Sequence, residues 1–182
     1  MSKNLNSCFF ILLAVICLFI FSQLTFPLTV VPLTGQTFAL GLISTVSGKT
    51  KTFYAVCLYL FLGTIGVPIF ADMKSGLNVL TGSTGGYLIS FIFYGLITTS
   101  ILEKTQYNYS WAMFANLLAT FITLIIGSGW LKLWNHLNWY DAFHIGFLPF
   151  LLTGIIKALA AAIIGIALLK YLNNHGINLL KF

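Results

Sequence analysis

The sequence predicts an all-α membrane protein, with six transmembrane helices in one bundle and a short interfacial helix on the outer side. Three observations predict it. Hydrophobic residues make up 59% of the chain and charged ones 7%, where a soluble domain carries roughly 25% charged residues. The mean hydropathy is +0.98, and the apolar residues fall into long runs separated by short polar breaks. All nine basic residues are lysines, and they distribute unevenly across those breaks.

Taken in order, the first span covers 7–23, apolar all round, and closes at Phe26-Pro27. It lacks an A-x-A cleavage pattern and is followed by further spans, so it is read as a retained helix and not a signal peptide. The second span, 33–47, is unusually polar, with Thr34, Gln36, Thr37, Ser44 and Thr45. The third, 53–70, is interrupted near its end by Gly63, Gly66 and Pro68. The fourth and fifth cover 85–102 and 111–127. The sixth, 146–171, is long enough to be tilted or partly interfacial.

An even number of spans puts both termini on one side. With the N-terminus inside, the cytoplasmic set is Lys3, Lys49, Lys51, Lys104, Lys170 and Lys181, against Lys74 and Lys132 outside. The positive-inside rule therefore places both termini in the cytoplasm. Two informative connections then lie outside: 71–84, rich in Gly, Ser and Thr, and 128–144. In the second, Trp130, Leu133, Trp134 and Leu137 recur at helical spacing, which predicts an interfacial amphipathic helix. The whole chain, 1–182, reads as a single membrane domain.

The ninth lysine, Lys157, lies within the last apolar run. A lysine at a helix centre in a bilayer costs about 2.5–3.5 kcal/mol and usually turns to the protein interior for a partner. On a helix its face carries Phe150, Thr153, Gly154, Ala160, Ala161 and Gly165, while Leu151, Ile155, Leu159 and Ile163 lie opposite. Small residues admit a neighbouring helix, so Lys157 is expected to point at protein; snorkelling to an interface is the competing reading. The chain has three acidic residues, Asp72, Glu103 and Asp141, none inside a span. Lys157 is then held neutral, or met by a rim acid, or neutralised by an anionic ligand.

A second candidate is the stretch from Asn78 through Gly82, Ser83, Thr84, Gly85, Gly86 and Tyr87, entering the fourth span. A glycine-rich turn at a helix N-terminus presents backbone N–H groups to a carboxylate or carbonyl oxygen. Asn78 adds a donor and an acceptor, and Tyr87 an aromatic wall with a polar tip. The plainer reading is a loop with Ser83 or Thr84 as an N-cap. Gln36 and Thr37 would complete a polar pocket or act as polar glue between helices.

Other chemistries find no support. Gly48-Lys49-Thr50 looks like the end of a P-loop, but Ile43 stands where that motif needs glycine. The sequon Asn108-Tyr109-Ser110 falls on the expected cytoplasmic side. Cys8, Cys17 and Cys57 sit in spans without metal or disulfide spacing. No catalytic constellation, metal site, cofactor motif or basic nucleic-acid stripe is present. The chain carries no ATPase motif, so uphill transport needs a partner or an ion gradient.

Four segments, in order, are Val31-Pro32-Leu33-Thr34-Gly35-Gln36-Thr37-Phe38, Leu62-Gly63-Thr64-Ile65-Gly66-Val67-Pro68-Ile69-Phe70, Gly82-Ser83-Thr84-Gly85-Gly86-Tyr87-Leu88, and Leu148-Pro149-Phe150 with Lys157. Together they resemble the BioY family, the biotin-specific S components of energy-coupling-factor transporters. The resemblance implies a six-helix protein of the bacterial inner membrane that captures biotin from outside. It also implies a transmembrane coupling subunit and a pair of cytoplasmic ATPases as partners. By position, it implies ligand contacts from Asn78, from Gly82 to Tyr87, and from Lys157. The family pattern P-F-x-P-G-D-x-x-K departs here: Gly154 stands where aspartate is written. That glycine keeps open another anionic cofactor such as lipoate or a biotin precursor. A structural membrane protein, in which Lys157 only pairs with a partner helix, is the reading from another class.

Overall fold

The computed structural model describes residues 2–28, 30–175 and 180, the side chains of 2–6 excepted. Its elements are α1 (Ser2–Ser22), a two-residue pair β1 (Thr25–Phe26) and β2 (Leu33–Thr34), α2 (Gln36–Val46), α3 (Lys49–Thr64), a 3-10 turn (Ala71–Met73), α4 (Leu77–Thr81), α5 (Gly85–Thr105), α6 (Tyr109–Trp134), α7 (Trp139–Ala142), a π turn (Phe143–Phe147) and α8 (Leu148–Asn174). The expected all-α architecture is present, and three described helical runs are long and apolar enough to cross a membrane: Gly85–Thr105, Tyr109–Trp134 and Trp139–Asn174.

The second span is shorter than its hydropathy suggests. Leu33 and Thr34 leave the helical run to pair antiparallel with Phe26 and Thr25, so α2 keeps 11 residues, about 16 Å at 1.5 Å per residue. A hydrocarbon core is about 30 Å thick. The hairpin therefore occupies depth that a full helix would have used. The third span ends early for a local reason: Gly66 adopts φ +109, a left-handed conformation that a helix cannot continue, and Pro68 follows. The chain folds back so that the Phe70 ring lies against Gly63.

The expected interfacial helix is not a separate element. Trp130, Leu133 and Trp134 belong to the last turns of α6, and Leu137 lies in the short connection to α7. Gly127, expected to close the fifth span, is instead a packing glycine. The Tyr87 ring fills the space a Cβ would occupy, and the helix runs on through Ser128, whose hydroxyl donates to the Leu124 carbonyl at 2.7 Å. Helix continuity won because nothing after Gly127 takes its hydrogen bonds away.

Large apolar side chains cover the outside: Phe9, Leu12 and Ile16 on α1, Phe114, Phe121 and Ile125 on α6, Ile156, Ile163 and Ile164 on α8. Exposure on that scale is a liability in water and ordinary against lipid. Inside, Leu18, Leu40, Val56, Tyr59 and Phe91 join α1, α2, α3 and α5. Where α2, α5 and α6 meet, a fully buried polar knot is satisfied internally. The Asn116 amide donates to the Thr45 hydroxyl at 3.0 Å and the Ala112 carbonyl at 2.9 Å, and accepts from the Tyr94 hydroxyl at 2.9 Å. Interhelical hydrogen bonds of this kind hold helices that hydrophobicity alone cannot pair in lipid.

The lysines sort by end. The Lys49 N–H donates to Glu103 at 2.8 Å, joining the start of α3 to the end of α5, and Lys170 lies 4.5 Å from the Tyr109 ring centre. Lys49, Lys104 and Lys170 therefore gather at one end of the bundle. Lys132, over Trp139 at 4.9 Å, follows α6 to the other. Lys181 lies outside the described residues.

Candidate functional site

At the end of the bundle away from Lys49 and Lys170, several elements surround a cavity of about 120 Å³. That is room for several waters, since one needs about 10–15 Å³. The hairpin contributes Val31, Leu33 and Thr34; the start of α2, Gln36 and Thr37; the segment after α3, Phe70 and Lys74. The first turn of α5 contributes Tyr87 and Leu88, preceded by Thr84; α6 contributes Thr120, Thr123 and Leu124; α8 contributes Phe150, Gly154 and Lys157. The walls are mostly apolar, with a few convergent polar groups, as small-molecule pockets are.

Lys157 points inward, as its face predicts: Phe150, Gly154, Ala161 and Gly165 are buried, whereas Ile155 and Ile163 are exposed. Its Nζ donates to the Thr34 carbonyl at 2.9 Å, so the lysine ties α8 to the hairpin. An ammonium has three donors, which leaves others for a ligand. No acid comes to it. Asp72 faces Lys74 at 3.6 Å and accepts from Thr25 at 2.6 Å; Glu103 serves Lys49 at the far end; Asp141 accepts from the Asn138 side chain at 2.7 Å. The lining thus holds two lysines and no carboxylate; Lys74 is paired with Asp72 outside the lining, so Lys157 is the cation without an acid, and its field favours an anion.

Lys74 reaches the rim through a strained turn. Asp72 and Met73 both have positive φ, 57 and 56, uncommon for residues other than glycine. The Met73 N–H donating to the Gln23 side chain at 3.0 Å holds the turn in place.

The other sequence candidates divide. Gln36, Thr37, Thr84, Tyr87 and Gly154 line the cavity with Lys157. Gln36 has both ends of its amide engaged: it donates to the Tyr59 hydroxyl at 2.7 Å and accepts from Thr34 at 2.8 Å. The Tyr87 hydroxyl donates to the Gly146 carbonyl at 2.6 Å, leaving its ring, 6.1 Å from that of Phe150, as a wall. Asn78 is exposed on α4 and does not line the cavity. Gly82, Ser83, Gly85 and Gly86 lie behind it: the Gly82 carbonyl accepts from the Trp130 indole at 2.9 Å, Ser83 donates to Asn135 at 3.2 Å, and Gly86 packs on Trp130. The glycine-rich stretch seats a tryptophan from α6. Residues not singled out by sequence, among them Thr120, Thr123, Leu124, Phe91 and Lys74, also line the cavity.

Gly154 has a physical role of its own. A Cβ there would stand 2.9 Å from the Thr120 methyl, so the glycine lets α8 approach α6 closely. On the other side of Lys157, a second groove is almost wholly apolar and runs between the hairpin, Phe38 and Ile156; it shares Leu33, Thr34 and Lys157 with the cavity.

Residues 1–174 match the family model described as BioY family. The biotin transporter BioY2 of Lactococcus lactis subsp. cremoris is 39% identical over 155 residues, 85% of each chain. The chain belongs to the BioY family. The biotin transporter BioY of Thermotoga maritima is 35% identical over 147 residues, covering 81% of this chain and 86% of that one. The fold is also that of a solved structure, the S-component for biotin from an ECF-type ABC transporter, with a TM-score of 0.87 and 21% identity over 93% of this chain and 95% of that one. As a BioY-family member the chain is a membrane protein, and the cavity lies among the segments that carry the family resemblance, with Lys157 in its wall.

Proposed function

We propose that this chain is the biotin-binding S component of an energy-coupling-factor importer. It captures biotin from the outer side of a bacterial inner membrane and reorients to release it inside. The single domain spans the membrane six times, α1 and the shorter α2 and α3 included, with both termini in the cytoplasm. Energy comes from a transmembrane coupling subunit and a cytoplasmic ATPase pair, in keeping with a sequence whose Gly48-Lys49-Thr50 lacks the rest of a P-loop. Support for the orientation comes from the gathering of Lys49, Lys104 and Lys170 at one end.

The observation that carries the reading is a membrane cavity with Lys157 and Lys74 in its lining and no acid. Biotin is a carboxylate on a short aliphatic arm with a bicyclic urea head. The carboxylate pairs with the free donors of Lys157, and the arm and rings lie against Tyr87, Phe150 and Leu124. Lys74 at the rim attracts the anion during approach. The relatives' activity as biotin transporters supports the same assignment.

Gly154 favours one second reading, a different anionic cofactor such as lipoate or a biotin precursor, since a cavity without a carboxylate makes fewer demands on a urea head. Saturable binding of labelled biotin to purified protein, competed by biotin and not by lipoate, is the expected result. Competition by lipoate at equal concentration establishes the second reading, and no saturable binding of either refutes both.

A further inference from the structure

The Lys157 ammonium donates into one peptide unit at the end of the hairpin. The Thr34 carbonyl accepts from Nζ at 2.9 Å, and the Gly35 N–H of the same unit donates to the Leu24 carbonyl at 3.0 Å. The two groups of a planar trans peptide point in opposite directions. The unit therefore faces α8 on one side and the chain just before β1 on the other. Its direction is set from the Thr34 side chain. That hydroxyl donates to Gln36 Oε1 at 2.8 Å and accepts from the Gln36 N–H at 3.4 Å, a side-chain turn that constrains the backbone angle aiming the Thr34 carbonyl. The Gln36 amide is in turn pinned from the interior. Its Nε2 donates to the Tyr59 hydroxyl at 2.7 Å, and that hydroxyl donates to the Ile69 carbonyl at 2.9 Å. Hydrogen bonds thus run without a break from α3 through the start of α2 and the hairpin to the lysine on α8.

Gln36 is 4% exposed and Tyr59 is wholly buried. Burying an amide costs unless its groups are bonded, and an apolar side chain would fill the same place without that cost. A fully satisfied buried network, however, holds its members in one arrangement. We propose that Gln36 is a positioning residue, which through Thr34 sets where the Lys157 ammonium stands and so the affinity for a ligand carboxylate. The proposal rests on the biotin reading above. Gln36 in this role does not bind the ligand, since both ends of its amide are already engaged. Without it the Thr34 hydroxyl loses its side-chain acceptor and the Thr34–Gly35 unit is freer to turn. The Lys157 stem is flexible enough for Nζ to follow the carbonyl. A charge-assisted hydrogen bond depends on distance and angle, so the carboxylate is the part of the ligand that loses. The bicyclic head, lying against the apolar walls, does not depend on this chain of bonds.

The test uses the purified full chain, with biotin and biotin methyl ester as probes, in the parent and in Lys157→Met. Gln36→Leu keeps the bulk and removes the amide. It is expected to weaken biotin about tenfold, part of what a hydrogen bond to a charged group contributes, and the ester by less than about threefold. In the Lys157→Met background the same substitution is expected to change biotin affinity by less than about twofold, because the group it positions is gone. Thr34→Val, which keeps the carbonyl and removes the hydroxyl, is expected to repeat the pattern, and it decides the matter should Gln36→Leu fail to fold. Biotin affinity within about threefold of the parent overturns the proposal. An equal loss for both probes also overturns it, since that marks a contact to the ligand head or a general support of the fold. So does a loss of the same size in the Lys157→Met background. Each of these leaves the biotin reading standing, because the parent still binds biotin. A parent chain that binds neither probe overturns both.

Discussion

Lys157→Met is the perturbation that bears most directly on the assigned ligand. Methionine keeps most of the stem and removes the charge. In the free protein Lys157 makes one hydrogen bond, to the Thr34 carbonyl at 2.9 Å, and two of its three donors stay available to a carboxylate. A hydrogen bond to a charged group contributes about 1.5–3 kcal/mol, so losing the carboxylate contact weakens biotin binding by about 2–3 kcal/mol, roughly 30- to 150-fold. Complete loss is not expected, because the apolar contacts from Tyr87, Phe150 and Leu124 remain. Stability should hardly move: the Thr34 carbonyl loses a donor, but a costly charge leaves the apolar interior. Titration calorimetry of parent and variant with biotin, beside a thermal melt, makes the measurement. Biotin affinity within threefold of the parent refutes the assignment of Lys157 to the carboxylate. So does an equal loss for biotin methyl ester, which has no carboxylate to lose.

Three further outcomes are expected. Gly154→Asp should lower the melting temperature by the equivalent of about 1–3 kcal/mol, because the new Cβ meets the Thr120 methyl at 2.9 Å; in competition assays it should penalise lipoate more than biotin, since the acid partly neutralises Lys157 and leaves an acceptor for a urea. Asn116→Leu removes the hydrogen-bonded link between α2, α5 and α6, and should destabilise by about 1–3 kcal/mol in a thermal melt while biotin affinity stays within a few-fold. Lys74→Gln, at a rim position with its side chain 61% exposed, should slow biotin association about two- to threefold at low salt in stopped-flow measurements, with the difference disappearing near 1 M salt.

Much of the fold was legible because bilayer residence imposes long apolar runs, and Lys157 was legible because a charge among small residues has one plausible direction to face. The side of α8 carrying Phe150, Gly154 and Gly165 is indeed the buried one. Termination was harder. Gly127 reads as a helix stop in sequence and as a seat for Tyr87 in the structure, because its reason lies 40 positions away on another helix. The stretch from Gly82 to Gly86 has the composition of an anion cradle, but its neighbour is Trp130, and no local pattern announces that pairing. Thr120 and Thr123 were missed because threonine in an apolar run is equally suited to helix–helix contact, and only the folded chain brings them to the cavity wall.

The bond from Lys157 to the hairpin has a consequence for how the wall of this cavity behaves as a barrier. Leu33, Thr34 and Lys157 line the ligand cavity on one side and the apolar groove beside Phe38 and Ile156 on the other. At this place the partition is about one side chain thick. Truncating Lys157 to alanine would therefore remove a charge and also open a window between the two spaces. Hydrocarbon could then reach into a compartment meant for a water-soluble anion, and leakage would be mistaken for lost recognition. Lys157 is part of the seal as well as part of the binding surface, which is why a side chain of similar length is the informative replacement.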